Sequence, residues 1–183
     1  MSELQRRTLA VLVDNAAGVL SQVSRLFSRK GYNIESLAVG TTDDPTVSRI
    51  TIEVRADDHH AELMCNQLRK LLPVHSVKQL TPGHSIRREL VLLKVNARSS
   101  EVRNEVIQIA NIFRGSIIDV STETLTLALI GDETKTDAMQ KLLEEFGIIE
   151  LVRTGVVALE RGQYTIDEDT KEKGEFNYGK NVL

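Results

Sequence analysis

The stretch "VDNAAGVLSQVSRLFSRKGYNIESL", residues 13–37, decides how this chain folds. It reads as the end of a strand, a small turn, an amphipathic helix, a glycine stop and a second strand. Val19, Leu20, Val23, Leu26 and Phe27 fall at i, i+1, i+4, i+7 and i+8, the apolar stripe of a helix. Arg25, Ser28, Arg29 and Lys30 crowd the other face and the last turn, where cations complement the helix dipole. Gly31 then supplies a left-handed stop.

Working outward, "RRTLAVLV" before the turn is a short apolar run that suits a buried strand. After it, "YNIESLAVG" and "TVSRITIEV" are β segments joined by the polar loop "TTDDP". Asp57-Asp58 open a second helix, with Asp58 expected as its N-cap. Leu63, Met64, Leu68, Leu71 and Leu72 form its expected apolar face, and "VHSVKQL" follows Pro73 as a last strand. The order β-α-β-β-α-β then recurs. "RRELVLLKVNA" is a strand, and "SSEVRNEVIQIANIF" a helix striped by Val102, Val106, Ile109 and Phe113. "SIIDVS" and "TLTLALIG" are paired strands, "ETKTDAMQKLLEEF" is a helix, and "IIELVRTGVVAL" closes the unit as one strand.

The expected fold class is therefore α+β, with two ferredoxin-like βαββαβ domains in tandem. The expected domains are residues 1–80 and 81–162, joined near "TPGHS", followed by a charged flexible tail at 163–183, with ordering on a partner as one option. A split βαβ unit packs its helices on one face of the sheet. The other face stays bare unless covered, so a partner chain is expected there.

Composition narrows the class. Apolar residues make up 41% of the 183, which supports a core, but aromatics only 4%, so Leu, Ile and Val must fill it. A net charge of −3 lacks the basic footprint of a nucleic-acid binder. RNA-recognition modules of this topology need exposed strand aromatics, and "VSRITIEV" and "LTLALI" contain none. The single cysteine, Cys65, excludes an intrachain disulfide framework and fits a reducing compartment. With neither a signal-peptide core nor a bilayer-length apolar run, the expectation is a cytoplasmic protein free of membrane.

Catalytic signatures are sparse. G-x-G-x-x-G, P-loop, H-E-x-x-H and G-x-S-x-G patterns are absent. His59 and His60 project about 100° apart on a helix and do not share a ligand sphere. The expected catalytic and metal residues are none, and the chain is not read as an enzyme.

The turn "DNAAGVL" is the remaining candidate. It presents the backbone N–H groups of Ala16, Ala17, Gly18 and Val19 at a helix start, and Gly18 lets a ligand approach closely. Asn15 either caps the helix or offers its amide to a ligand, and capping is favoured from these residues in isolation. Asn33 shifts that balance, because a polar amide opening the next strand has no capping duty. An α-amino acid matches such equipment: carboxylate on the helix donors, ammonium on amide or carbonyl oxygens, side chain against Val19, Leu20 and Ile34. A carboxylate so placed gains about 0.3–1 kcal/mol, too little for tight binding without burial at both ends.

The segments N-x-x-G-V-L at Asn15–Leu20, L-F-S-x-[RK]-G-Y-N-I-E-S-L at Leu26–Leu37 and T-x-D-D-P-T-x-S-R at Thr41–Arg49 carry a resemblance. They resemble the ACT domain of the small, regulatory subunits of acetolactate synthase, and "FRGSIIDVS" extends the likeness so that it covers roughly residues 5–160. Beyond residue 162 the chain departs from the family pattern. The resemblance implies a non-catalytic homodimer whose paired ACT domains form one extended sheet and bind a branched-chain amino acid, usually valine, at their interface. It implies a large catalytic subunit as partner, which carries the thiamine diphosphate, Mg²⁺ and FAD, so that this chain holds no cofactor. The family's effector-binding positions fall on Asn15, Gly18 and Asn33. Feedback inhibition and activation of the catalytic subunit are the implied roles. A free-standing amino-acid sensor acting on another enzyme is the alternative. "TTDDPTVSR" is expected either as part of the surface that meets the catalytic subunit or as a structural turn.

Overall fold

The structure, a computed structural model, describes residues 4–166. The chain divides into two compact units, one holding the residues up to Ile86 together with those from Ala158 onward, the other Arg87–Val157.

In the first unit, β1 (Gln5–Asp14), α1 (Val19–Lys30), β2 (Ile34–Thr41), β3 (Val47–Ala56), α2 (Asp58–Leu68) and β4 (Val74–Leu80) follow in the expected order. The sheet order is β2-β3-β1-β4, antiparallel throughout. Register sets the two faces. Leu9 sits opposite Ile52 and Val11 opposite Ile50, and these residues pack on the helices with Val23, Phe27, Met64 and Leu68. The intervening residues Thr8, Ala10 and Leu12 pair with Glu53, Thr51 and Arg49 on the opposite face. A one-residue slip would exchange those two sets, so burial of one face fixes the register.

Glycines bound α1. Gly18 at its start has φ 87, and Gly31 at its end has φ 73, both in the left-handed region that a side chain resists. At the C-terminus the Gly31 N–H donates to Ser28 O and the Tyr32 N–H to Phe27 O, which closes the last turn. Leu20, read from the sequence as part of the apolar stripe, lies on the rim and is 42% exposed. In α2 the N-cap is Asp57, not Asp58: its Oδ1 accepts from the His60 N–H at 2.8 Å, while Asp58 is already helical. The helix also stops at Leu68, short of Pro73, and turns with the Lys70 N–H on Gln67 O and the Leu71 N–H on Leu68 O follow it. Ala61, Met64, Cys65 and Leu68 are its buried residues, while Leu63 is part-exposed and Leu72 fully exposed.

The second unit repeats the topology with β5 (Ser85–Asn96), α3 (Ser100–Ile112), β6 (Ser116–Val120), β7 (Thr124–Gly131), α4 (Glu133–Leu143) and β8 (Ile148–Arg153). Its sheet order is β6-β7-β5-β8. Val91, Leu93, Val95, Leu125, Leu127 and Leu129 face α3 and α4 in a separate core. Buried Glu89 accepts from Thr136 Oγ1 and pairs with Arg153 at 2.9 Å, so its charge is matched.

Two expectations about the end of the chain are corrected. "IIELVRTGVVAL" is two strands, because Thr154 turns the chain: its N–H donates to Leu90 O and its Oγ1 accepts from the Leu90 N–H. A short β9 (Val157–Glu160) follows, and the segment from Ala158 onward belongs to the first unit, so the boundary expected at residue 162 falls earlier. Ala158–Ile166 lies across the outer face of the first sheet. Arg49 donates to Ala158 O at 2.8 Å, Ser76 Oγ to Ile166 O at 2.8 Å, and Lys78 pairs with Glu160 at 2.7 Å. Residues 163–166 of the expected tail are thus seated, and Ile166 is buried. The rest of that tail, 167–183, lies outside the described residues. The cover expected from a partner chain is supplied on this sheet, at least in part, by the chain itself.

Candidate functional site

The turn after β1 lies at the edge of the first sheet where β2 ends and β3 begins. Asp14 is fixed twice, by its N–H to Pro73 O at 2.9 Å and by its carboxylate to His75 Nε2 at 2.6 Å. Asn15 does not cap α1. Its backbone N–H donates to Thr46 O at 2.7 Å and its side-chain amide to Pro45 O at 2.9 Å, so both groups are held by the β2–β3 loop. The cap position is Gly18, which has no side chain to offer.

Helix starts leave orphan donors, and this one leaves them open. The Val19 N–H reaches Ala16 O only at 3.4 Å, and the Gln22 N–H begins the helical ladder on Gly18 O at 3.1 Å. Among the described residues, the N–H groups of Ala16, Ala17, Gly18 and Leu20 have no hydrogen-bond acceptor. A Cβ on Gly18 would meet nothing within 4 Å, so the space in front of the turn is empty. Unpaired donors at the positive end of a helix dipole favour an anion, a carboxylate included.

Of the sequence-predicted positions, Asn15, Ala16, Ala17, Gly18 and Leu20 come together at this exposed turn, while Val19 is buried in the core beneath it. Asn33 is exposed and precedes β2, whose first residue Ile34 packs partly on the core. The twelve residues of α1 separate Gly18 from Asn33 by about 18 Å at 1.5 Å per residue. One α-amino acid, with both charged groups on one carbon, cannot touch both within a single chain. Sequence reasoning read the two as the ends of one site. Helix length places them at opposite ends of the domain.

The β2–β3 loop is tightly organised. Asp44 Oδ1 accepts from the Thr46 N–H at 2.8 Å and from Thr46 Oγ1 at 2.6 Å, and these bonds hold its carboxyl below the usual value of 3.8. Thr42 Oγ1 accepts from the Asp44 N–H, and the Thr42 N–H closes the hairpin on Val47 O at 2.9 Å. Its contact with Asn15 was not legible from sequence, since it joins residues thirty positions apart.

Elsewhere, burial pushes the Cys65 thiol up to about 11, so it stays protonated and unreactive. Among the described residues no three His, Cys, Asp or Glu side chains gather in a metal-binding arrangement, and no helix is long and apolar enough to cross a membrane.

Comparison with known proteins fits this geometry. The family described as "AHAS small subunit-like ACT domain" matches residues 9–76, and "Small subunit of acetolactate synthase" matches residues 88–162. The probable acetolactate synthase small subunit of Methanothermobacter thermautotrophicus is 46% identical over 158 residues, covering 86% of this chain and 94% of that one. The chain belongs to the acetolactate synthase small-subunit family. The small subunit of Aquifex aeolicus is 44% identical over 170 residues, covering 93% of this chain and 88% of its own length. The crystal structure of the acetolactate synthase small subunit from Thermotoga maritima superimposes with a TM-score of 0.82 at 36% identity, covering 88% of this chain and all of that one. For a small-subunit family member, the first βαββαβ unit is the ACT domain and the open turn lies within it.

Proposed function

We propose that this chain is the regulatory subunit of an acetolactate synthase, and that its ACT domain binds a branched-chain amino acid, with valine the first candidate, to impose feedback on a large catalytic subunit. The observation that carries the reading is the open turn: donors at Ala16, Ala17, Gly18 and Leu20 with no acceptor, in front of a left-handed Gly18. The thiamine diphosphate, Mg²⁺ and FAD belong to the catalytic partner.

A homodimer completes the site. β2 is the edge of its sheet and pairs only with β3 among the described strands. Pairing two β2 edges antiparallel sets the start of one strand beside the end of the other. The end of β2 leads into the loop that holds Asn15, and the start follows Asn33. Such a dimer therefore carries Asn33 of the partner subunit to the open turn, bridging the distance that α1 imposes within one chain. It also covers an exposed sheet edge. A ligand shared by two subunits acts on their relative geometry, with a coupling of about 1–3 kcal/mol, or roughly 5–150-fold.

The test is a calorimetric titration of the full chain with valine, isoleucine and leucine, alongside sedimentation and activation of the cognate large subunit. The reading expects valine to bind with a dimer present, and isoleucine or leucine to bind measurably, since one methylene in an apolar pocket is worth about 1–3 kcal/mol. Binding of none of the three overturns the effector assignment. Failure to activate or co-purify with a thiamine-dependent large subunit favours a free-standing sensor.

A further inference from the structure

We infer that the β2–β3 loop, Thr42–Thr46, is a positioning device for the effector site: it clamps the Asn15 side-chain amide and so fixes the Oδ1 acceptor that meets the ammonium of an amino acid. The inference rests on the amino-acid reading above and adds what sets the ligand's polarity.

The argument begins with an atom that can only accept. The Pro45 carbonyl oxygen lies 2.9 Å from the Asn15 side-chain amide, and a carbonyl has no proton to give. The atom facing it is therefore Nδ2, with no ambiguity of amide orientation. That bond takes one of the two Nδ2 protons and fixes the plane of the amide, so that Oδ1, an acceptor, is held in place beside the turn. An acceptor rejects a carboxylate and suits an ammonium. The neighbouring N–H groups of Ala16, Ala17, Gly18 and Leu20 are donors only, and they suit the carboxylate. The helix donors and the Asn15 Oδ1 thus suit opposite ends of one amino acid, and the loop fixes where that Oδ1 lies.

Four further bonds fix the clamp. Thr46 O accepts the Asn15 N–H at 2.7 Å, so the loop holds the backbone and side chain of one residue. Asp44 Oδ1 in turn fixes Thr46 through its N–H and its Oγ1, at 2.8 and 2.6 Å. The Val47 N–H returns to Asp44 O at 3.0 Å and closes the turn. Asp44 touches nothing in the ligand's place; it acts through Thr46 and Pro45 on Asn15. Asp44, Pro45 and Thr46, which the sequence left undecided between partner surface and plain turn, thereby acquire a role in effector recognition.

The experiment uses the full chain with Asp44→Ala, Asp44→Asn and Thr46→Val. Side-chain amide NMR of the free protein reads the clamp directly: the Asn15 amide proton held by Pro45 O is protected from exchange in wild type and in Asp44→Asn, whose Oδ1 still accepts, and loses that protection in Asp44→Ala. L-valine calorimetry reads the consequence, an affinity loss of about tenfold for Asp44→Ala, an intermediate loss for Thr46→Val, and recovery to within about threefold for Asp44→Asn. A merely structural role for Asp44 predicts no change at the Asn15 amide. Unchanged Asn15 exchange in Asp44→Ala, or valine affinity within about twofold of wild type, overturns the positioning role. If wild type binds none of the three branched-chain amino acids while the exchange pattern holds, the ligand assignment falls and the clamp stands.

Discussion

The two units share one topology and treat the turn after their first strand in opposite ways. In the second unit, Ser99 Oγ accepts from the Val102 N–H and caps α3, while Arg103 donates to the carbonyls of Ala97, Ser121 and Thr122. There a side chain answers one of the helix-start N–H groups, and an arginine ties the turn to its neighbours. In the ACT unit the cap is Gly18, without a side chain, and the neighbouring N–H groups are left open. Asn15, the residue with the chemistry to cap, is pulled away by Pro45 and Thr46. A helix start capped by a side chain spends a donor on its own chain, whereas a helix start kept for a ligand must leave its donors unspent.

That contrast breaks most visibly at Gly18. Gly18→Asp sets a carboxylate where the effector's carboxylate belongs and strains a left-handed backbone. We expect effector affinity to fall by at least about a hundredfold in calorimetry, since like-charge juxtaposition costs several kcal/mol. Activation of the catalytic subunit should survive, and unchanged valine sensitivity in the variant would remove the site from this turn.

A second difference lies on the outer sheet faces. Ala158–Ile166 covers the ACT sheet, whereas the second sheet leaves Ile130 64% and Val152 52% exposed. Lys78→Ala removes a buried cation facing Glu160 and the Thr165 carbonyl. We expect about 2 kcal/mol of lost stability in urea denaturation, with Lys78→Met recovering part of it through packing. A loss near zero would mean that the segment is not seated in solution.

The closed turn offers the control. Ser99→Ala should cost about 1 kcal/mol in the same denaturation experiment and leave valine affinity unaltered. An altered affinity would mean that the two turns are not independent.

The smallest effect is that of pH on the clamp. Bonds from Thr46 depress the Asp44 carboxyl below 3.8, its ordinary value. A depressed carboxyl favours the folded arrangement above the unfolded value and loses that favour as pH falls through the folded one. The clamp, read from Asn15 amide exchange after correction for intrinsic rates, should be constant from pH 7 to about pH 5. It should weaken only in acid below 3.8, and slightly, because a neutral carboxyl oxygen still accepts; loosening near neutrality would show that the Asp44 bonds do not hold the clamp.

Both βαββαβ repeats were legible because the strand and helix periods are clean, as in Leu9–Val13 and Val23–Phe27. The candidate turn was legible too, since glycine before an apolar stripe marks a helix start. Local rules failed where one residue had two possible partners. Asp57 and Asp58 are adjacent acids, and only the reach of an oxygen to the His60 N–H chose between them. Asn15 is a good cap by type, yet a carbonyl thirty positions away claims its amide. Leu71 and Leu72 fit a helical stripe that Pro73 cuts short.

The sequence by itself determined the elements, their order and the family, because periodicity and motif spacing are properties of the chain alone. Only the tertiary structure decided what faces what. It seated Ala158–Ile166 on the ACT sheet and turned the Asn15 amide toward Pro45. Each is set by contacts between residues far apart in the chain, and such contacts leave no periodic trace in the order of residues.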